Sequence, residues 1–276
     1  MVYLLCKNIK KGVRMRLFIA LLLGVFIFAK EVIYICDDAA EWPPYTFYDR
    51  SHGKVDKSKV VGALVDMYNV IFKDLNMSYK LDMLPWKRCT YMVSHYSKTK
   101  KYVIFPGLYN KKRAEVMYYT KPIYTTHQVI WYSKKKFTKK EIEDKVKNDI
   151  NSLKICDVNG YNTAFYYNVL HVDKNKKINQ SAKSQCAVLH KISLGRCDIM
   201  VGSKESILGY KMIGKCDIPD DISYIPHEKL SKSKFRLFIA KDYPKSKELW
   251  EKLNKEIEKL DKTGLKEKIL KKWIKE

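Results

Sequence analysis

Short apolar runs of β type alternate with amphipathic helical patterns along nearly the whole chain, and this alternation limits the fold more than any other feature. The strand candidates are Val32 to Cys36, Lys80 to Leu84, Tyr102 to Phe105, Val129 to Tyr132, Leu153 to Val158, Asp198 to Val201 and Phe235 to Ala240. Between the first two, ALVDMYNVIFKDL sets Leu64, Met67, Tyr68, Ile71, Phe72 and Leu75 on one helical stripe. Near the end, Leu249, Leu253, Ile257 and Leu260 repeat at a spacing of three to four, with Lys and Glu between them as a solvated face. Strands and helices in alternation imply an α/β fold, with ligands at the carboxyl ends of the strands.

Those strand ends carry distinctive chemistry. The first run leads into AEWPPYTFYD, which holds two prolines and four aromatic residues. Proline lacks an amide donor and restrains its predecessor, so this stretch is expected to be a rigid extended loop presenting Trp42. A second end, LDMLPWKRC, offers Trp86 and Arg88; a third, GLYNKKRAEV, offers Tyr109, Asn110 and Arg113 where a helix should begin. A fourth, KICDVNGYNTAFYY, places Gly160, Tyr161, Asn162 and Thr163 at a turn into a helix. Guanidinium forks match carboxylates, and aromatic walls exclude water, so the expected ligand is small and anionic or zwitterionic.

Residues 15–30, MRLFIALLLGVFIFAK, have the basic start, short apolar stretch and small residue of a secretory signal peptide, giving a leader over 1–29 with the start at Met1 or Met15. The stretch is short for a membrane span. The remaining chain holds 49 Lys+Arg against 30 Asp+Glu, but the lysines are dispersed and an exported chain meets little nucleic acid, so no nucleic-acid partner is expected. Six cysteines follow the leader, Cys36, Cys89, Cys156, Cys186, Cys197 and Cys216, compatible with disulfides of open connectivity or with buried thiols. Their spacing and the scattered histidines give no metal site, and no cofactor is expected. GYKMIGKC approaches a phosphate-binding loop, but Cys216 stands where a hydroxyl must meet magnesium, and the preceding SKESIL reads as helix. No catalytic residue is assigned. DLNMS makes Asn76 a glycosylation candidate if it lies on a turn.

Taken in order, WPPYTFYD, VVGALVDMYNVIFKDLN, GLYNKKRAEVMYYTKPIY, LHKISLGRCDIMVGSKES and the terminal helices from AKDYPKSKELW onward resemble the family 3 solute-binding proteins, the periplasmic receptors of polar amino-acid ABC importers. The resemblance implies a two-lobed, type 2 periplasmic-binding fold with the ligand in a cleft between lobes joined by two crossover strands, near Pro122 to His127 and Pro226 to Lys234. Lobe one would comprise 31–124 plus 232–276, and lobe two 125–231. It further implies a small polar or anionic ligand, a membrane ABC permease as partner, a monomeric receptor in the periplasm, and no enzymatic activity. By the same resemblance Arg113 clamps the ligand's carboxylate, Trp42 stacks on the ligand, and Trp86 walls the pocket.

The departures concern specificity. Amino-acid binders commonly place an Asp after the second-lobe strand to take the ligand's ammonium; here Ser203 stands there, with Glu205 two residues on, and Pro106 and Leu108 replace hydroxyl residues ahead of the Arg. A buried ammonium without a carboxylate is costly. Two alternatives stay open: an enzyme resembling cyclohexadienyl dehydratase, with Glu41 or Glu205 as acid, and an extracytoplasmic sensor.

Overall fold

The structure, a computed structural model, describes residues 31–109, 111–159, 161, 163–230 and 232–274; the expected leader lies outside the described residues. Ile33–Glu276 forms one compact unit. The chain runs through β1 (Val32–Asp38), the hairpin of β2 (Phe47–Asp49) and β3 (Asp56–Val61), α1 (Ala63–Asp74), β4 (Ser78–Leu84), α2 (Trp86–Ser94), α3 (Tyr96–Thr99), β5 (Ile104–Leu108), α4 (Lys111–Val116) and the 17-residue strand β6 (Met117–Ser133). It continues through α5 (Lys139–Asn148), β7 (Cys156–Val158), α6 (Ala164–Asn168), β8 (Asn179–Ala182), α7 (Gln185–Ser193), β9 (Met200–Ser203), α8 (Lys204–Met212), β10 (Ile222–Pro226), β11 (Lys232–Ala240), α9 (Ser246–Lys262) and α10 (Leu265–Trp273).

One sheet orders its strands β10-β6-β11-β5-β1-β4, with β9 also on β6. β1 and β5 are parallel neighbours, Ile35 opposite Ile104, so their carboxyl ends emerge together. β6 belongs to two environments. From Met117 to His127 it pairs antiparallel with β11, and from Gln128 to Ser133 with β9 and β10. The apolar clusters divide at the same place: their buried members come either from 33–124 with 237–269, or from 129–230.

The expected periodicities have direct structural counterparts. α1 buries Leu64, Met67, Tyr68, Ile71 and Phe72, and α9 buries Leu249, Leu253, Ile257 and Leu260. Leu75, placed on the first stripe, is the C-terminal cap of α1. The aromatic-proline loop seats α1 directly, since the Ala63 and Leu64 amides donate to the Pro44 and Tyr45 carbonyls at 2.8 and 3.0 Å. Three disulfides, Cys36–Cys89, Cys156–Cys197 and Cys186–Cys216, settle the pairing that spacing left open.

Candidate functional site

A cavity of about 280 Å³ opens where β1 and β5 end, and it gathers Trp42, Trp86 and Arg113 from three separate stretches of sequence. Each is placed by a local device. Trp42 sits in the loop after β1, bridged to Thr46. Trp86 starts α2, which the Cys36–Cys89 disulfide ties to β1 three residues later. Arg113 extends from α4 so that its guanidinium carbon lies 5.2 Å from the Trp86 ring centre and 5.6 Å from that of Phe105, while Nη1 donates to the Leu108 carbonyl at 3.3 Å. A Cβ at Gly107 would come within 3.1 Å of the Phe105 ring, with Arg113 Nη1 and Trp86 at contact distance, 3.4 Å. Burial lowers the Arg113 pKa, yet a guanidinium stays charged at any physiological pH.

The opposite wall consists of residues that the sequence did not single out. Trp42 lies 5.8 Å from Phe235, Phe235 stacks on Tyr124 at 4.6 Å, and Tyr124 stacks on Tyr45 at 3.8 Å. Asp37 and Asp38, with Pro106, Gly107 and Leu108 from the end of β5, complete the lining. Asp37 is 5% exposed; Thr46 Oγ1 donates to its Oδ2 at 2.6 Å and the Asp38 amide to its Oδ1 at 2.7 Å. Burial pushes its pKa up to about 7, and these hydrogen bonds offset the rise only in part. Burial also raises the Tyr68 and Tyr124 phenols, with the Asp37 charge adding to both shifts. Tyr68 Oη is buried without a hydrogen-bond partner. A signal for Asp37 existed, because it directly follows the first strand candidate; Tyr124 and Phe235 face each other only through the register of β6 with β11.

The other site candidates lie outside this lining. Arg88 is exposed on α2, and Tyr109 is exposed with its ring edge-on to Tyr119 at 5.2 Å. Asn110, Gly160 and Asn162 lie outside the described residues. Tyr161 is half exposed, its carbonyl accepting from Gln180 Nε2 at 2.9 Å; burial first, then the charges of Asp157 and Asp38, raise its phenol. Thr163 caps α6 through its backbone, its carbonyl accepting from the Tyr166 amide. Ser203 caps α8, with Oγ accepting from the Ser206 amide at 3.3 Å. Glu205 accepts from the His127 amide at 2.8 Å and contacts His127 Nδ1 at 2.6 Å, at the point where β6 changes partners.

Glu41 is likewise engaged. Arg50 grips both of its oxygens at 2.8 and 2.9 Å, Lys215 pairs with Oε2, and Tyr210 Oη donates to its carbonyl at 3.1 Å. Burial alone would raise its pKa, but the Arg50, Lys215 and Tyr48 hydrogen bonds outweigh it and hold the carboxyl below its ordinary value. Beside this cluster α8 lies directly on the Pro43–Pro44 backbone, where a Cβ on Gly209 would come within 2.5 Å of Pro43. Among the described residues no group of His, Cys, Asp and Glu is arranged to hold a metal.

Comparison with known proteins gives a consistent result. The family model of bacterial extracellular solute-binding proteins, family 3, matches residues 35–276. An ancestral cationic amino acid solute-binding protein is 19% identical, with 88% of this chain and 96% of that one covered at a TM-score of 0.63. The substrate-binding protein of an amino acid ABC transporter is also 19% identical, covering 89% and 100% at 0.61. A histidine kinase sensor domain with similarity to periplasmic binding proteins is 16% identical, covering 89% and 96% at 0.62. No curated protein sequence matches the chain.

Proposed function

The chain belongs to the bacterial extracellular solute-binding proteins of family 3 and has their two-lobed, type 2 periplasmic-binding fold, and from this premise we propose that it is the periplasmic receptor of an ABC importer for a small polar solute. The observation that carries this reading is the meeting of Arg113, Trp42 and Trp86 in one cavity at the strand ends. About 280 Å³ is at the small end of ligand sites, suited to a molecule the size of an amino acid.

In this reading lobe one is 31–124 with 232–276, lobe two is 125–231, and β6 and β11 are the crossovers. The leader over 1–29 directs export and is cleaved, and the mature receptor works as a monomer that delivers its ligand to a membrane permease. Arg113 holds the anionic group through its planar fork. Trp42 and Trp86 exclude water, which strengthens that charge contact. Closure brings Tyr161 and Thr163 of the second lobe towards the ligand.

A second reading, a lyase on the same fold, draws support from Asp37, an acid in the cavity wall that stays protonated up to about pH 7. It draws none from Glu41 or Glu205, which are bound by Arg50, Lys215 and His127.

The test is thermal stabilisation of the purified protein by amino acids, small carboxylates and inorganic anions. A ligand at 100 times its Kd should add about 2.7 kcal/mol, a readily measured rise in melting temperature. Stabilisation without product supports the receptor. Consumption of prephenate or arogenate would replace it with the lyase, and a protein left unmoved by every class would not be a small-solute receptor.

A further inference from the structure

The chain carries a formal net charge of +24, yet along α9 and α10 its lysines are matched by acids: Lys252 pairs with Glu248, Lys259 with Asp74, Lys266 with Asp261 and Lys271 with Glu267. One edge of the molecule departs from that pattern. β6 runs out at Ser133 opposite Ile222, where β10 begins, and its Trp131 faces Met200, where β9 begins; Ile155, just before β7, bridges Ile199. Segments 134–137, 152–154, 194–198 and 219–221 therefore meet at this edge. Two buried acids tie them together. Asp221 accepts from Ser133 and Ser193 hydroxyls at 2.5 and 2.6 Å and lies 3.5 Å from Lys135 Nζ, while Asp198 takes both Lys136 Nζ and the Lys154 amide. The Cys156–Cys197 disulfide fastens the same edge.

Around these two acids stand Lys134, Lys135, Lys136, Lys154 and Arg196, all exposed. Asp198 and Asp221 are buried and already engaged, Asp220 is the one exposed acid of the four segments, and Lys134, Lys154 and Arg196 have no acidic partner among the described residues. Between the cations lies Leu194, 66% exposed, the most exposed large apolar side chain among the described residues. Gly195, at φ 70°, closes α7 behind it, and the Gly195 and Arg196 amides donate to the Ile192 and Lys191 carbonyls, which fixes the turn that presents it. A single exposed leucine is ordinary on a protein surface; a ring of five cations around it is not.

We propose that this edge is a membrane-docking face: its cations take the phosphates of anionic phospholipids, and Leu194 enters the boundary between headgroups and acyl chains. Each cation beside an anionic bilayer adds an attraction that fades within a Debye length, and inserted apolar area adds to it. The edge lies away from the ligand cavity. Tyr124 in the cavity wall and Ser133 at the edge belong to one strand, and the stretch between them spans about 30 Å at the rise of a β-strand. Docking therefore leaves the cavity open to solvent while it holds the protein at the surface where, on the receptor reading, the permease lies. The proposal goes beyond that reading and does not depend on which ligand the cavity takes.

The experiment sediments the purified protein with vesicles of phosphatidylcholine alone and of phosphatidylcholine mixed with phosphatidylglycerol. Binding should require the anionic lipid and fall steeply with added salt. Lys134→Gln, Lys154→Gln and Arg196→Gln together should weaken it by about a hundredfold, at about fivefold per cation, and Leu194→Ser by about tenfold, with melting temperatures close to wild type. A second triple, Lys247→Gln, Lys255→Gln and Lys268→Gln, removes the same charge from exposed positions of α9 and α10 and should bind like wild type. Equal losses from the two triples overturn the proposal, because net charge alone would then explain adsorption. Equal binding to neutral vesicles overturns it as well, as does capture of an acidic peptide without any vesicle binding, or no binding at all. Should the edge triple fail to fold, lysine acetylation of wild type decides: anionic vesicles should shield Lys134 and Lys154 and leave Lys247 and Lys255 reactive, and uniform or absent shielding overturns the docking face. The receptor reading stands under each of these outcomes.

Discussion

At the ends of β1 and β5, Asp37 keeps unused acceptor capacity and Arg113 lies over Trp86 in the cavity wall, whereas at the end of β9 the polar side chains are already engaged. Ser203 closes the first turn of α8, and Glu205 fastens β6 where it changes partners. Both regions follow one rule of the fold, with polar residues just beyond a strand. They differ in whether local backbone donors and nearby side chains satisfy those residues first. A strand-end residue becomes a ligand residue only with the hydrogen-bonding capacity that caps and ion pairs leave over.

The contrast can be tested by mutation. The largest effect is expected from Arg113→Ala, which should weaken ligand binding by about 3 kcal/mol or more, at least a hundredfold, with the melting temperature little changed. Calorimetry and a thermal melt read both quantities, and a large stability loss at unchanged affinity would move Arg113 from the binding wall into the scaffold. Next, replacing Cys36 and Cys89 together by Ala should cost about 2–4 kcal/mol of stability and also reduce affinity, because that bridge holds the Trp86 helix beside Asp37. The same change at Cys186 and Cys216 should cost comparable stability with affinity intact, and equal affinity losses for both pairs would erase the distinction. Trp42→Ala should weaken binding by about 1–3 kcal/mol through lost aromatic burial. Unchanged affinity would return the aromatic-proline loop to packing. The smallest effect belongs to Ser203→Ala, where losing the cap should cost about 1 kcal/mol of stability and leave affinity untouched. A drop in affinity there would bring the second-lobe strand end back into the site.

Much of the fold was legible because periodicity reports burial. Each of the seven strand candidates overlaps a strand, and the stripes of α1 and α9 are buried nearly residue for residue. The misses were β2, β3, β8 and β10. The exposed pattern of β3 shows why, since a strand without a buried face leaves no alternation to read. β6 was longer than its apolar run, because a crossover strand pairs along its whole length while its burial alternates between two environments.

In the site, Trp42, Trp86 and Arg113 stood out as unusual residues next to strand ends, and proximity to a strand end is a local property of the sequence. Tyr124 and Phe235, 111 positions apart, acquire their role only by facing each other across β6 and β11. The sequence by itself determined the α/β alternation, the buried stripes and the strand ends where aromatic and charged residues gather, because these follow from side-chain spacing along one chain. Only the tertiary structure decided which of the strand-end polar groups remain available. Whether Asp37 is left with capacity while Glu41, Ser203 and Glu205 are already bound depends on partners brought in from distant positions, and spacing along the chain carries no record of them.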